Sequence, residues 1–251
     1  MEIRGHALVQ GASRGLGLEF ARQLLSRPEV ESVTATCRSP DGADGLHDLV
    51  DSSEKPLQIL PMDVTDEASV RSAAERFETT DRELSVVLNV AGVLHGPNMR
   101  PERTYREVDP DVLSHSFRVN AFGPLLVAKH FARFLPRHTP AVWANLSARV
   151  GSIGDNRKGG WYAYRASKAA QNQFTRCLSI ELSRRYPRLV VVALHPGTVD
   201  TGLSEPFQKS VPAEKLFTVA RAATQLLDVI SSLGPRDTGG FFAWDGKPIE
   251  W

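Results

Sequence analysis

Cysteine is scarce in this sequence, and long apolar runs are missing from it. Only Cys37 and Cys177 occur among 251 residues, which is too few for a disulfide framework and fits a reducing compartment. Residues 1–10 lack the apolar run of a signal peptide, and no stretch approaches the roughly 20 apolar residues of a membrane-spanning helix. We therefore expect a cytoplasmic protein with no membrane partner.

An excess of charge of one sign is also missing. The chain has 30 Lys and Arg against 29 Asp and Glu, a net charge of +1, so no global field attracts it to nucleic acid. Its length suits one buried core, and no repeat, low-complexity tract or linker divides it. We predict a single domain over residues 1–251 and no nucleic-acid partner.

Apolar segments alternate with helical patterns along the chain. Continuously apolar strands, typical of a buried parallel sheet, are predicted over residues 6–10, 31–37, 57–60, 84–89, 141–147, 188–194 and 240–244. Helices are predicted over residues 15–26, 66–79, 110–135, 161–185 and 212–232, with Gly123 and Pro124 distorting the third. This alternation predicts the α/β class, as a single doubly wound Rossmann-type domain with about seven parallel strands and helices on both faces.

A glycine-rich turn lies between the first strand and the first helix, in the spacing G-x-x-x-G-x-G. Glycines there allow a tight turn, close approach of phosphates and packing of the helix on the strand. The helix N-terminus offers free N–H groups and a positive dipole end to an anion. We interpret the turn as a dinucleotide site. Its predicted cofactor-binding residues are Gly11, Ser13, Arg14, Gly15, Leu16 and Gly17.

The end of the second strand favours NADP(H) over NAD(H). NAD enzymes place an acidic residue roughly 20 residues past the glycines to hold the ribose 2′-hydroxyl. This chain has Cys37, Arg38 and Ser39 there, and Arg14 in the turn adds a second cation. Guanidinium groups bind a 2′-phosphate bidentately, whereas a carboxylate would repel it. We therefore predict that Arg14 and Arg38 contact the 2′-phosphate.

Tyr164 and Lys168 stand four residues apart on one face of a predicted helix. A phenol with a pKa near 10 is a poor base at neutral pH, but a neighbouring ammonium favours the phenolate and lowers that pKa. Because the pair follows the fifth strand of a chain with a dinucleotide turn, we interpret it as catalytic. Tyr162 does not fit, since Ala166 lies four residues beyond it.

With these motifs the chain resembles the short-chain dehydrogenase/reductase family over nearly its whole length. The resemblance implies that Asn120 is the catalytic asparagine and that Asp63 hydrogen-bonds the adenine. The segment Asn89-Val90-Ala91-Gly92 stands where the family has Asn-Asn-Ala-Gly, and residues 196–201 resemble the segment that holds the nicotinamide carboxamide. The implied cofactor-binding residues, besides the turn and Arg38, are Asp63, Val64, Asn89, Ala91, Gly92, Tyr164, Lys168, Pro196, Gly197, Val199 and Thr201. No metal site is predicted.

Residues 147–153, 159–164 and 244–248 resemble a narrower branch, that of sniffer-type carbonyl reductases and bacterial C-factor proteins. Its members reduce carbonyls with NADPH or have signalling roles. Three positions depart from the family pattern. Gln10 replaces a Thr before the glycine turn, so the side-chain contact that supports the backbone there, here called the brace, is expected to differ. Val90 replaces the second Asn, and Ala148 stands where the family has the serine that polarises the carbonyl.

The missing serine leaves two candidates for the carbonyl donor. Ser147 is favoured because it is closest to the end of the strand, although a one-residue shift reverses the direction of a side chain and so requires a local bend. Ser152, further into the loop, is the alternative. The irregular segments 93–108 and 198–212 are expected to wall the substrate pocket.

The resemblance implies reversible hydride transfer between the nicotinamide C4 and a carbonyl or alcohol carbon. Tyr164 would donate or accept the proton, Lys168 would lower the pKa of Tyr164 and hold the ribose, and Asn120 would sustain a water path to Lys168. The alternative, suggested by Ala148 and the C-factor resemblance, is an NADP-binding sensor or signalling protein with little turnover. The expected partner is a small carbonyl or alcohol; homodimer, homotetramer and monomer all remain open.

Overall fold

A computed structural model describes residues 3–251 of the chain. Nine strands are present in that range: β1 (Gly5–Gln10), β2 (Val30–Cys37), β3 (Leu57–Pro61), β4 (Leu84–Asn89), β5 (Ala141–Leu146), β6 (Leu189–His195), β7 (Thr198–Val199), β8 (Leu216–Phe217) and β9 (Phe241–Ala243). Seven form one sheet in the order β3-β2-β1-β4-β5-β6-β9. Every pairing in it is parallel, which confirms the predicted parallel sheet.

Helices cover both faces of the sheet. They are α1 (Gly15–Leu25), α2 (Asp44–Ser52), α3 (Glu67–Glu78), α4 (Pro110–Phe117), α5 (Gly123–Phe131), α6 (Tyr162–Ser183) and α7 (Val219–Ser232). Neighbouring strand residues belong to opposite cores. Val86 is in the core that includes residues of α1, α2 and α7, whereas Val87 is in the core that includes residues of α3, α5 and α6. Because successive side chains of a strand point to opposite faces, a strand covered on both sides must be apolar throughout.

The strand order reverses direction between β1 and β4. From β1 the chain first builds outwards through β2 and β3, then returns to the other side of β1 to build β4, β5 and β6. At such a switch point the loops after the two central strands diverge and leave a crevice at the carboxyl edge of the sheet. The segments after β1, β4, β5 and β6 therefore converge on one site.

The long helix expected over residues 110–135 is interrupted, as its Gly-Pro pair predicts. Helix α4 passes through a π-helical turn, Arg118–Phe122, into α5. Pro124 has no N–H to give to the carbonyl of Asn120, and its ring would clash with that carbonyl in a regular helix. The widened turn accommodates the proline, and Asn120 lies within it.

The predicted start of the last helix is wrong. Helix α7 begins at Val219, not at residue 212, and the Thr218 hydroxyl caps it by accepting the Arg221 N–H at 3.2 Å. After a single 3-10 turn, Ala213–Lys215, the chain is extended at Leu216–Phe217 because β8 pairs with β7, a contact that local periodicity does not reveal. Within residues 3–251, no helix has the length and apolar character needed to cross a membrane.

Candidate active site

A cleft of about 1440 Å³ opens at the carboxyl edge of the sheet, around the switch point. It exceeds the usual 300–1,000 Å³ of a small-molecule pocket and so has room for a dinucleotide and a substrate. The predicted site residues that line it are Gly11, Ser13, Arg14, Gly15, Leu16, Gly17, Arg38, Asp63, Val64, Ala91, Gly92, Ser147, Tyr164, Lys168, Pro196, Gly197, Val199 and Thr201. Asn89, Asn120 and Ser152 are not among the lining residues.

The glycine turn has the form of a phosphate cradle. Gly11 has φ +83°, and a Cβ there would lie 2.6 Å from the Ala91 nitrogen. A Cβ on Gly17 would overlap the carbonyl oxygen of Gly11, so only glycine lets α1 pack this closely on the turn. Arg14, the N-cap residue of α1, makes no side-chain cap. The first N–H groups of the helix are therefore left to an anion in the cleft.

Gln10 joins this turn to the loop after β4. Its Oε1 accepts the Ala91 N–H at 3.2 Å, across the switch point. Gln10 stands where the family usually has Thr, and a brace that differs from the family's was expected there. The structure shows what the brace is: a longer side chain that ties together the ends of β1 and β4.

The cationic end of the cleft contains Arg14 and Arg38, both exposed and both lining it. Among the described residues, neither forms an ion pair with a carboxylate. Nearby, Asp63 Oδ1 accepts the Thr65 N–H at 2.8 Å and the Thr65 hydroxyl at 2.7 Å, which fixes the turn after β3. This end can therefore take an anionic group without first breaking an ion pair.

Tyr164 and Lys168 lie in the first two turns of α6 and are both buried. Lys168 Nζ donates to the Leu146 carbonyl at 2.7 Å and to Gln171 Oε1 at 3.0 Å, and it lies 6.0 Å from the centroid of the Tyr164 ring. Burial lowers the pKa of Lys168 to about 7 and raises the pKa of Tyr164 above its ordinary value. Burial thus opposes the lowering of the Tyr164 pKa that the Lys168 ammonium was expected to cause.

Asn120 lies behind the cleft wall, with both ends of its amide occupied. Its Oδ1 accepts the Val93 N–H at 2.8 Å, and its Nδ2 donates to the Val93 carbonyl at 2.9 Å and to Ser167 Oγ at 3.0 Å. Asn120 thereby fixes the loop after β4 against α6. The π-helical turn is what brings this side chain to face both elements.

The two candidate serines differ in position. Ser147 lines the cleft together with Ala148, but its hydroxyl donates to Asn172 Oδ1 at 2.6 Å. Ser152 is buried away from the lining, and its Oγ accepts the Asp155 N–H at 3.0 Å. Of the two, only Ser147 can reach a molecule in the cleft, provided that its hydroxyl turns away from Asn172.

Asn89 also points away from the cleft. Its Nδ2 donates to Asn145 Oδ1 at 2.8 Å, and Asn145 Nδ2 donates in turn to Thr175 Oγ1 at 2.8 Å. This chain of buried polar groups links β4, β5 and α6. Asn89 therefore supports the cleft floor beneath Ala91 and Gly92.

Comparison with known proteins identifies the family of this chain. The family model described as short chain dehydrogenase matches residues 5–211. The chain belongs to the short chain dehydrogenase family. It is 32% identical over 246 residues to the 1-hydroxy-2-glutathionyl-2-methyl-3-butene dehydrogenase of Rhodococcus sp. (strain AD45), covering 97% of this chain and 98% of the relative.

Solved structures of two carbonyl reductases show the same fold. The NADPH-bound carbonyl reductase from chicken fatty liver superposes with a TM-score of 0.88 at 31% identity, covering 100% of this chain and 96% of the other. The carbonyl reductase Sniffer of D. melanogaster gives a TM-score of 0.87 at 29% identity, with both chains fully covered. The predicted family and its likeness to sniffer-type reductases are confirmed.

One end of the cleft of this short chain dehydrogenase has an aromatic wall that the sequence did not single out. The Trp161 ring lies 6.2 Å from the Tyr164 ring and 4.9 Å from the Phe207 ring, between ring centroids. His95 packs on Phe207 at 5.9 Å, and its Nε2 lies 2.8 Å from the Gly202 carbonyl. His95 and Phe207 come from the two segments predicted to wall the pocket. Their aromatic character, in segments expected to wall the pocket, was the available signal.

Proposed function

We propose that this protein is an NADP(H)-dependent oxidoreductase that reduces a carbonyl, or oxidises the matching alcohol, with Tyr164 as proton donor or acceptor. The observation that carries the proposal is one cleft that combines a glycine phosphate cradle with a buried Tyr164 and Lys168. The NADPH-bound state of the chicken carbonyl reductase supports the cofactor. A cytoplasmic location remains an expectation from the cysteine content.

The cleft fits an NADP(H) molecule along its length. The glycine turn and the free N–H groups of α1 would hold the pyrophosphate, and Arg14 and Arg38 the 2′-phosphate. Asp63 and Val64 would lie at the adenine, and Ala91 and Gly92 at the floor, which Asn89 supports from behind. Pro196, Gly197, Val199 and Thr201 would hold the carboxamide end. When bound, the nicotinamide supplies or takes up the hydride.

Proton transfer is the part that this chain's own residues perform. In reduction, Tyr164 Oη gives its proton to the carbonyl oxygen as the carbonyl carbon gains the hydride, which leaves an alcohol and a phenolate. The Lys168 ammonium stabilises that phenolate and orients the ribose. Asn120 keeps the Val93 backbone and α6 in register, so that water can carry a proton to Lys168 from solvent.

Ser147 is proposed as the second donor to the carbonyl oxygen. Its hydroxyl lines the cleft and would exchange its bond to Asn172 Oδ1 for one to the substrate. Such a preorganised donor stabilises charge that develops on the oxygen. With Ala148 beside it, Ser147 is the only one of the two predicted serines that lines the cleft.

A second candidate, an NADP-binding sensor with little turnover, is favoured by one observation. The family's serine position is Ala148, and the neighbouring hydroxyl is already bonded to Asn172. One experiment separates the two candidates: NADPH fluorescence titration of the protein, followed by turnover with a panel of aldehydes and ketones. Binding with turnover supports the reductase, and binding without turnover supports the sensor. Failure to bind NADPH contradicts both.

A further inference from the structure

Glu102 is a buried carboxylate for which the proposed chemistry has no use. It is 3% exposed. It comes from segment 93–108, here called the substrate loop, of which residues 93–97 line the cleft. Its Oε1 and Oε2 accept the Ala163 N–H at 3.2 and 3.3 Å, and its main-chain carbonyl accepts the Trp161 N–H at 2.6 Å. One loop residue therefore contacts the start of the catalytic helix through both its side chain and its backbone.

These contacts replace a local helix cap. The N-cap residue of α6 is Trp161, whose side chain makes no capping hydrogen bond. The N–H groups of the first turn need acceptors, and the Glu102 carboxylate accepts one of them from a distant part of the chain. Its negative charge also lies at the positive end of the α6 dipole. The acceptor that a neighbouring Ser or Asp usually supplies comes here from the substrate loop.

The same contacts hold Trp161 in an unusual conformation. Trp161 has φ 52° and ψ 45°, a left-handed conformation that a bulky side chain adopts only when its surroundings impose it. The bond from its N–H to Glu102 secures that backbone. Its carbonyl accepts the Arg165 N–H at 2.8 Å, and its ring lies edge-on to Tyr164 at 69°. The position of Tyr164 is thus linked through Trp161 to Glu102.

We propose that Glu102 is a positioning residue that holds Tyr164 in its reactive place by tying the start of α6 to the substrate loop. This inference rests on the proposed function. Misplacing a reacting group by about 1 Å can cost on the order of 100-fold in rate. Loss of the tie should therefore lower kcat, while NADPH affinity, to which the glycine turn, Arg14 and Arg38 also contribute, should change much less.

The test compares three variants. Glu102→Ala should lower kcat for carbonyl reduction on the order of 10- to 100-fold with little change in KM. Glu102→Gln keeps an oxygen acceptor for Ala163 and should restore most of kcat. Glu107→Ala is the matched control, because exposed Glu107 accepts the Arg103 N–H at 2.7 Å within the same loop without reaching α6; its kcat should equal that of the wild type.

Hydrogen exchange gives a readout that does not depend on turnover. Amides of residues 161–164 should exchange faster in Glu102→Ala than in the wild type or Glu107→Ala. Amides elsewhere in the chain should exchange at the same rate in all three proteins. An unchanged kcat in folded Glu102→Ala, a Glu102→Gln variant as slow as Glu102→Ala, or unchanged exchange would each overturn the inference. A wild type that binds NADPH but reduces no carbonyl would contradict the proposed function. The hydrogen-exchange result would then be the test of whether Glu102 holds the start of α6.

Discussion

The hydroxyl of Ser147 donates to Asn172 Oδ1 over 2.6 Å, which ties the residue after β5 to the middle of α6. The bond lies next to Ala148, the position at which the family has its carbonyl-polarising serine. A substrate oxygen in the cleft would compete with Asn172 Oδ1 for the hydrogen bond from the Ser147 hydroxyl. If Ser147 is the carbonyl donor proposed above, activity should depend on which acceptor its hydroxyl takes when substrate is bound.

Replacing Ser147 tests this dependence. Ser147→Ala should lower kcat by about 10²–10³-fold, the usual cost of removing one such donor, and should leave NADPH affinity unchanged. Ser152→Ala is the control and should be harmless, since Ser152 does not line the cleft. Steady-state reduction of an aldehyde measures both variants. A slow Ser152→Ala with an active Ser147→Ala would assign the donor to the loop, and two fully active variants would exclude serine.

Exchanging one charge at Arg38 should change the cofactor preference. Arg38→Asp would remove the proposed partner of the 2′-phosphate and add repulsion, while an acid there could accept the ribose hydroxyls of NADH. We expect NADPH to bind on the order of 10- to 100-fold more weakly, because hydrogen bonds to charged groups contribute about 1.5–3 kcal/mol. Fluorescence titration with both cofactors measures this. Arg236→Asp, an exposed charge change outside the cleft, should have no effect; equal wild-type affinities for both cofactors would refute the assignment.

Replacing Tyr164 with Phe removes its hydroxyl and keeps the packing of its ring. Tyr164→Phe should lower kcat by about 10²–10⁴-fold, the range that general acid–base catalysis contributes, without a loss of thermal stability. Tyr162→Phe is the matched control, since Tyr162 is an exposed neighbour on the same helix turn. Stopped-flow measurement of a single turnover separates the chemical step from product release. Equal rates for the wild type and Tyr164→Phe would show that another group moves the proton.

Lys168 should take up a proton when the cofactor binds. Burial lowers its pKa to about 7, so at pH 8 the cofactor-free amine is mostly neutral. A ribose hydroxyl and a negative cofactor favour the ammonium and raise that pKa. Calorimetry of NADPH binding in buffers of different ionisation enthalpy should therefore show proton uptake at pH 8. The uptake should disappear in Lys168→Met and persist in Lys209→Met, a control at an exposed lysine of the same cleft.

Acid should destabilise the fold through a buried histidine. His6 bonds to the Ser32 and Thr34 hydroxyls, and burial, together with the charge of Arg82, lowers its pKa from 6.5 to about 4. Because the unfolded chain binds this proton near pH 6.5 and the folded one only near pH 4, stability is lost as the pH falls between these values. The shift corresponds to about 3 kcal/mol.

Urea unfolding at pH 7.5 and pH 5 measures this loss. His6→Asn should reduce the difference between the two pH values, and His47→Asn, at an exposed histidine, should not. His195, whose pKa burial likewise lowers to about 4, leaves part of the pH dependence in place. An unaltered difference in His6→Asn would contradict the assignment.

The fold was largely predictable because its signals are local. The apolar strands and the Gly-Pro break at residues 123–124 require only neighbouring residues, and the structure contains both. The start of α7 was not predictable, since the pairing of Leu216 with Thr198 involves residues far apart in the sequence. For the same reason the sequence could place Ser147 at a strand end but could not show that Asn172 Oδ1 accepts a hydrogen bond from its hydroxyl.

The hydrogen bond from the Ala91 N–H to Gln10 Oε1 fixes the floor of the cleft, whereas the wall formed by His95, Trp161 and Phe207 rests on side-chain contacts. The floor consists of strand ends and is fixed before any ligand arrives, so little entropy is lost there on binding. The upper wall rests on the contact of Phe207 with Trp161 and the contact of His95 with Gly202. Phe207, Trp161 and His95 all line the cleft, so a bound molecule would lie against them. Residence times, more than encounter rates, should therefore respond to changes at Phe207.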